Sequence, residues 1–358
     1  MEDKKKIVWI DWAKALCMIF VYYHHVGLLG ANKADIVIPY GYFFVNTFFF
    51  ISGYLLFKKH LFGDIAYQDR KSFFFSQFKE KGILSNVFYK IALPSILFSI
   101  IDFVPKQIIR GESLSIDALL FDSLLRGTFW FTCALCVTEL IIFVMLFALR
   151  KKSIWLYFIL SLPLFFVGKY LTDSGFALYK DIYCPWFYKS GFMACFFLVG
   201  GGIFCQYEKK LSWLTSIGGK CLLIILALAY CITVIKEPWG FIRGSILTGI
   251  DYAGVIISLM GIVSIIFVSS FLPSVKAIEF ISRHTIGFYF FSASIPFVWC
   301  KIIERFLPLS TFAFVLGVIC SFITAWLVVY LLDKYIPFVF DFNKIKVKIC
   351  QYLKTKCS

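Results

Sequence analysis

The chain has 358 residues, of which 60% are hydrophobic, 20% aromatic and only 16% charged, with a mean hydropathy of +0.84. Soluble domains carry about a quarter charged residues, so a water-soluble globular fold is excluded and an all-α, polytopic integral membrane protein is expected. The formal net charge of +15 would suit a nucleic-acid binder if it were clustered, but it is spread along the chain as membrane topology requires, and no nucleic-acid partner is expected.

In chain order, a short basic head (residues 1–6) precedes a first apolar segment, 7–29. That segment is long enough to cross a bilayer, which takes about 20 residues. It nevertheless carries Asp11, Lys14, His24 and His25, groups that are costly in hydrocarbon and that mark working surfaces by default. Lys14 and His25 are eleven residues apart, close to three full turns, so they share one face about 16 Å apart along the axis. Asp11, one turn earlier, falls on the same stripe. His24 points about 100° away and reads as structural. The alternative is that both histidines merely reach the far interface.

Nine further apolar segments follow at 36–57, 87–104, 128–149, 154–171, 190–206, 221–235, 245–271, 285–303 and 311–332, giving about ten transmembrane helices. Between the second and third, Arg70, Lys71, Lys79, Lys81 and Lys90 alternate with Phe73, Phe74, Phe75 and Phe78, the pattern of an amphipathic interfacial helix. Pro94 should kink the third segment. No soluble domain and no internal repeat is evident. Residues 1–332 read as one ten-helix domain and 333–358 as a basic cytoplasmic tail. No cleavable leader is expected, because the first segment is too long and lacks a small-residue cleavage site.

Ten spans with both termini inside place 24 of the 36 basic residues on the cytoplasmic side and 11 outside, with Lys14, inside the first span, counted apart. That bias follows the positive-inside rule. It implies a cytoplasmic (inner) cell membrane with both ends inside. The 12 cysteines show no metal-type spacing, and Cys133 and Cys136 lie inside an apolar helix. They read as small packing residues, and no metal is expected.

Four motifs resemble a known family. Asp11-x-x-Lys14-x10-His25 is similar to the opening signature of the membrane-bound acyltransferase family 3, and its lysine form to the fucose-O-acetylase-like (polysaccharide O-acetyltransferase) branch. Phe48-Phe49-Phe50-Ile51-Ser52-Gly53-Tyr54-Leu55 resembles the family's second-helix motif, Thr128-Phe129-Trp130-Phe131 its WF element, and Arg283-His284-Thr285-Ile286-Gly287-Phe288-Tyr289 its late motif. Ser292 stands where many members carry a second histidine, and Phe43-Phe44-Val45-Asn46 where some relatives carry His or Asp.

The resemblance implies an O-acyltransferase that moves an acetyl group from acetyl-CoA to a hydroxyl of an envelope glycan or lipid-linked saccharide. His25 is then the catalytic candidate, either a general base or a transient acyl carrier. Lys14 would meet Asp11 or a CoA phosphate. Glu139, a carboxylate inside the fourth segment, would orient His25, pair with Lys14 or serve a plain structural pair. Cofactor binding is expected at Lys14, Arg70, Lys71, Lys79, Lys81, Arg283 and His284, and substrate binding at Asp181, Tyr183 and Trp186, whose aromatic loop also reads as an interfacial belt. Ser52-Gly53 reads as helix packing and His60 as solvated. A saccharide transporter or flippase using Lys14, His25 and Glu139 as its polar path is the competing class.

Overall fold

The computed structural model describes residues 7–30, 43–63, 69–111, 113–150, 152–175, 184–210, 216–236, 245–247, 249–308 and 310–344. Among these there is no strand, and each of the ten apolar segments contains a helix, the eighth only from Tyr252 onward. Helices close their own backbone hydrogen bonds, as a hydrocarbon environment demands. Among the described residues six helices are long and apolar enough to cross a membrane, and the bent pair Thr285–Phe291 and Ser294–Phe306 is a seventh candidate. The protein is therefore embedded in a membrane. The first two helices, α1 (Val8–Gly30) and α2 (Phe43–His60), are less apolar because they carry Asp11, Lys14 and two histidines, and Asn46, Lys58, Lys59 and His60, respectively.

The chain divides into two compact units, Met1–Ile51 with Tyr207–Leu331 and Ser52–Gln206 with Leu332–Ser358, so the division falls inside α2. In the first unit α1 is the hub. It packs against Tyr252–Ser270, Lys276–Arg283, Thr285–Phe291 and Ser294–Phe306. Ala13, Ala15 and Cys17 are fully buried, small side chains that let neighbouring backbones approach closely. Asn46 of α2 donates to Ser258 Oγ at 2.8 Å, and Gly261 lies so close to Phe43 that a Cβ there would sit 2.5 Å from it.

In the second unit Trp130–Leu149 is the hub, packed against Arg70–Ser76, Ile83–Asn86, the π-turn Val87–Ala92 and the 3-10 turn Pro185–Phe187. Its hydroxyls bond carbonyls: Thr138 Oγ1 donates to Ala134 O at 2.7 Å and to Gly191 O at 3.0 Å. Ser95 donates to Thr132 Oγ1 at 2.8 Å. Residues 337–344 fasten back onto the third span. The Phe340 ring stacks on Phe98 with centroids 5.8 Å apart, Phe342 N donates to Tyr89 O at 3.0 Å, and Asp341 pairs with Lys90 at 3.4 Å.

Three details differ from the sequence expectation, each for a local reason. Pro94 has no N–H to give Lys90 O. The chain meets this with the π-turn Val87–Ala92 and then continues helically through Pro105 to Arg110, beyond the expected end of the third span. The ninth span is broken rather than continuous. Thr285–Phe291 and Ser294–Phe306 are bent by 45°, because Pro296 cannot donate to Ser292 O. His60 is half-buried rather than solvated, and its Nδ1 is enclosed with no hydrogen-bond partner among the described residues.

Candidate functional site

The Asp11–Lys14–His25 stripe lies in the first unit. Between Lys14 and His25 the same face of α1 carries Met18 and Tyr22, both fully buried, whereas Ile19, on the far side, is exposed. Asp11, Lys14 and His25 are half-buried. The stripe thus faces protein, the arrangement a polar track needs in hydrocarbon. The Asp11 charge acts on Lys14 in the folded protein, as expected for side chains one turn apart on a helix.

The two histidines diverge. His24 is 7% exposed, with its ring centroid 6.1 Å from that of Phe44 on α2. The same side of α1 carries Cys17, which interacts with Thr47 of α2. His25 faces away from that packing, its ring centroid 5.6 Å from that of His24 and inclined by 60°. His24 thus holds α1 to α2, and His25 belongs to the stripe.

The late motif lies in the same unit. His284 is where Lys276–Arg283 ends and Thr285–Phe291 begins, its backbone non-helical at φ −107, ψ 23. Its ring lies 4.4 Å from Phe280, with Nδ1 3.0 Å from Phe280 O, and the residue is buried, while Arg283 is exposed. Thr285 Oγ1 braces the turn by donating to Ser282 O at 2.8 Å. A residue that sequence reasoning missed ties this motif to the stripe. At the break in the ninth span Ser292 N bonds Tyr289 O instead of Phe288 O, and Tyr22 Oη of α1 donates to Phe288 O at 2.8 Å. The signal was present, since Tyr22 falls on the Lys14–His25 face, but its partner depends on where the ninth span breaks.

The remaining candidates belong to the second unit. Glu139 is half-buried on Trp130–Leu149, one turn from Cys136. Arg70, Lys71, Lys79 and Lys81 are exposed. Trp186 sits in the turn Pro185–Phe187 with a left-handed backbone at φ 51, and its indole donates to Leu124 O at 2.7 Å, so its polar edge is committed within the protein. Asp181 and Tyr183 lie outside the described residues. Lys189 immediately precedes the sixth apolar segment, 190–206. It is 2% exposed at the start of Tyr188–Tyr207, beside Cys184, and its only sequence cue was its place between an aromatic run and Ser190-Gly191.

Gly53 is accounted for by packing. A Cβ there would land on the Leu198 carbonyl, so the Ser52-Gly53 pair lets α2 touch the backbone of Tyr188–Tyr207. Among the described residues no cluster of three His, Cys, Asp or Glu side chains could hold a metal ion. The acyltransferase 3 family model, described as an acyltransferase domain, matches residues 7–332. No curated protein and no solved structure matches the chain.

Proposed function

Because the chain belongs to acyltransferase family 3, we propose that this membrane acyltransferase takes an acetyl group from acetyl-CoA on the cytoplasmic side. It delivers that group to a hydroxyl of an envelope glycan or lipid-linked saccharide, in the manner of the fucose-O-acetylase-like branch. The observation that carries this reading is the inward-facing stripe Asp11, Lys14, His25 on the central helix of its unit. A side of α1 turned out into lipid would have left these groups with nothing to act on.

In this reading His25 accepts the proton of the acceptor hydroxyl as its oxygen forms a bond to the thioester carbonyl carbon. Collapse of the tetrahedral intermediate breaks the C–S bond, and the imidazolium returns the proton to the departing thiolate. The alternative order places the acetyl group on the imidazole first and transfers it to the sugar second. Lys14, kept in register by Asp11, supplies a cation to the donor's phosphates. Arg283, exposed at the late motif, supplies a second. Lys14 and His25 lie about 16 Å apart along the helix, so one helix spans from the donor's charged portion to the acceptor's hydroxyl.

The test feeds labelled acetyl-CoA to membranes carrying the wild-type protein or His25→Ala and traces label into envelope saccharides. Label in the wild type that vanishes in the variant supports the assignment, and label unchanged in His25→Ala removes it. A transporter, in contrast, releases no free thiol from acetyl-CoA with any acceptor.

A further inference from the structure

The exposed basic and aromatic residues before the third span have no role in the stripe, and their geometry assigns them another partner. Asp69 caps the short helix Arg70–Ser76, its carboxylate accepting from Ser72 N at 2.6 Å. The turn that follows is fixed by Gln77. This side chain is fully buried, donates to Phe73 O and Ser76 Oγ, and accepts from Ile83 N at 3.0 Å. Lys81 takes a left-handed backbone at φ 72, and a Cβ on Gly82 would strike the Gln77 backbone. Residues 69–82 are thus a folded hairpin rather than a slack connection.

One side of the hairpin is held by the protein. Phe73 is buried and stacks on Phe143 at 6.2 Å, and Phe74 meets Phe143 at 6.1 Å and Phe147 at 6.0 Å. The opposite side is bare. Phe75 is 57% and Phe78 52% exposed, among the exposed charges of Arg70, Lys71, Lys79 and Lys81. Its height along the spans is set as well. Phe147 and Phe143 precede Arg150, the end of their helix, by three and seven residues, which is about 5 and 10 Å. Lys59 at the basic end of α2 donates to Lys81 O. Amphipathic elements bury their apolar face about 5–10 Å into the headgroup boundary, which matches the distance of Phe143 and Phe147 from the charged end of their helix.

We propose that residues 69–82 form a docking surface for anionic lipid: Phe75 and Phe78 enter the leaflet while Arg70, Lys71, Lys79 and Lys81 bind lipid phosphates. This assignment is independent of the chemistry at His25 and takes these four cations away from the acyl donor. Basic residues beside an anionic leaflet each contribute roughly fivefold in affinity.

The test measures deuterium uptake over residues 69–82 in the full-length protein. The protein is held in nanodiscs of phosphatidylcholine, alone or mixed with phosphatidylglycerol. Phosphatidylglycerol should slow uptake about fivefold or more. The combined variant Arg70→Gln, Lys71→Gln, Lys79→Gln, Lys81→Gln should lose that dependence, and the three Lys→Arg exchanges should keep it. Phe75→Ser with Phe78→Ser should speed uptake in both lipids. Unchanged uptake over Trp130–Leu149 shows that each variant is folded. Equal uptake with and without phosphatidylglycerol overturns the proposal. Protection by coenzyme A alone in phosphatidylcholine also overturns it, returning the four charges to the donor.

Discussion

The two units of the chain distribute their ionisable side chains among apolar helices differently. The first concentrates ionisable side chains on one helix: Asp11, Lys14, His24 and His25 all sit on α1, three of them along one inward stripe. The second places Glu139 and Lys189 on separate helices, and both units use hydroxyl-to-carbonyl bonds and glycines for close packing. The family motifs divide along the same line. The Asp-Lys-His and Arg-His-Thr motifs fall in the unit of α1, and the Ser-Gly and Trp-Phe motifs in the other. Motif residues in this chain therefore differ in kind: Asp11, Lys14 and His25 bring charges and an imidazole to one face, whereas Gly53 contributes the absence of a side chain.

Removing His25 tests that division most severely. A general base contributes about 10²–10⁴-fold to a rate, so under the role proposed for His25 the His25→Ala variant should lower acetyl transfer by that factor with the protein still present in the membrane. His24→Ala should behave differently. It opens a cavity beside Phe44 and should lower the amount of folded protein more than the rate per folded molecule, as read by label transfer normalised to monodisperse protein in detergent. Equal loss per folded molecule in both variants would erase the distinction between a packing histidine and a reactive one.

Gly53→Ala probes the other unit. The added methyl meets a backbone carbonyl that has no rotamer to move to, and overpacking of this kind costs about 1–3 kcal/mol or more. The thermal transition in detergent should drop sharply. Gly111→Ala is the control: that glycine has φ +66 but nothing within 4 Å, so it should cost only the left-handed backbone penalty, about 1 kcal/mol.

How much of this was legible in the sequence depends on the kind of signal. Each of the ten apolar segments contains helix among its described residues, because apolar runs leave the backbone no other way to bond itself. The stripe was legible because helical periodicity fixes which residues share a face. The partners of that face were not, since the Tyr22–Phe288 bond spans 266 positions. The break at residues 292–293 was hinted at by Pro296, yet a proline alone does not say whether a helix kinks, breaks or, as before Pro94, shifts into a π-turn. Lys189 was missed for a similar reason: aromatic neighbours in sequence do not say which way a lysine points.

Tyr22→Phe sharpens the comparison more gently. It deletes the hydroxyl that serves Phe288 O at the break and leaves a buried carbonyl unserved, a loss of about 1 kcal/mol. The transition should fall by a few degrees. A structural brace predicts that label transfer per folded molecule stays near the wild-type value, whereas a Tyr22 that takes part in proton movement on the stripe predicts a changed pH profile.

The smallest effect concerns the border residue His60, beyond the apolar run of α2. Burial, and next the Lys59 charge, push its imidazole down to about 4, below the ordinary 6.5 or so. Above pH 6.5 the ring is neutral in both folded and unfolded chains, and its full contribution to stability is present. As pH falls from about 6.5 towards 4 the unfolded chain takes up a proton that the folded one refuses, so stability is lost across that window and no further below it. His60→Gln should flatten this part of the pH–stability curve without touching label transfer at neutral pH. A curve that slopes identically in the variant would mean that the enclosed Nδ1 makes no difference to folding and that the acid sensitivity arises elsewhere, with the carboxylates as the next groups to test.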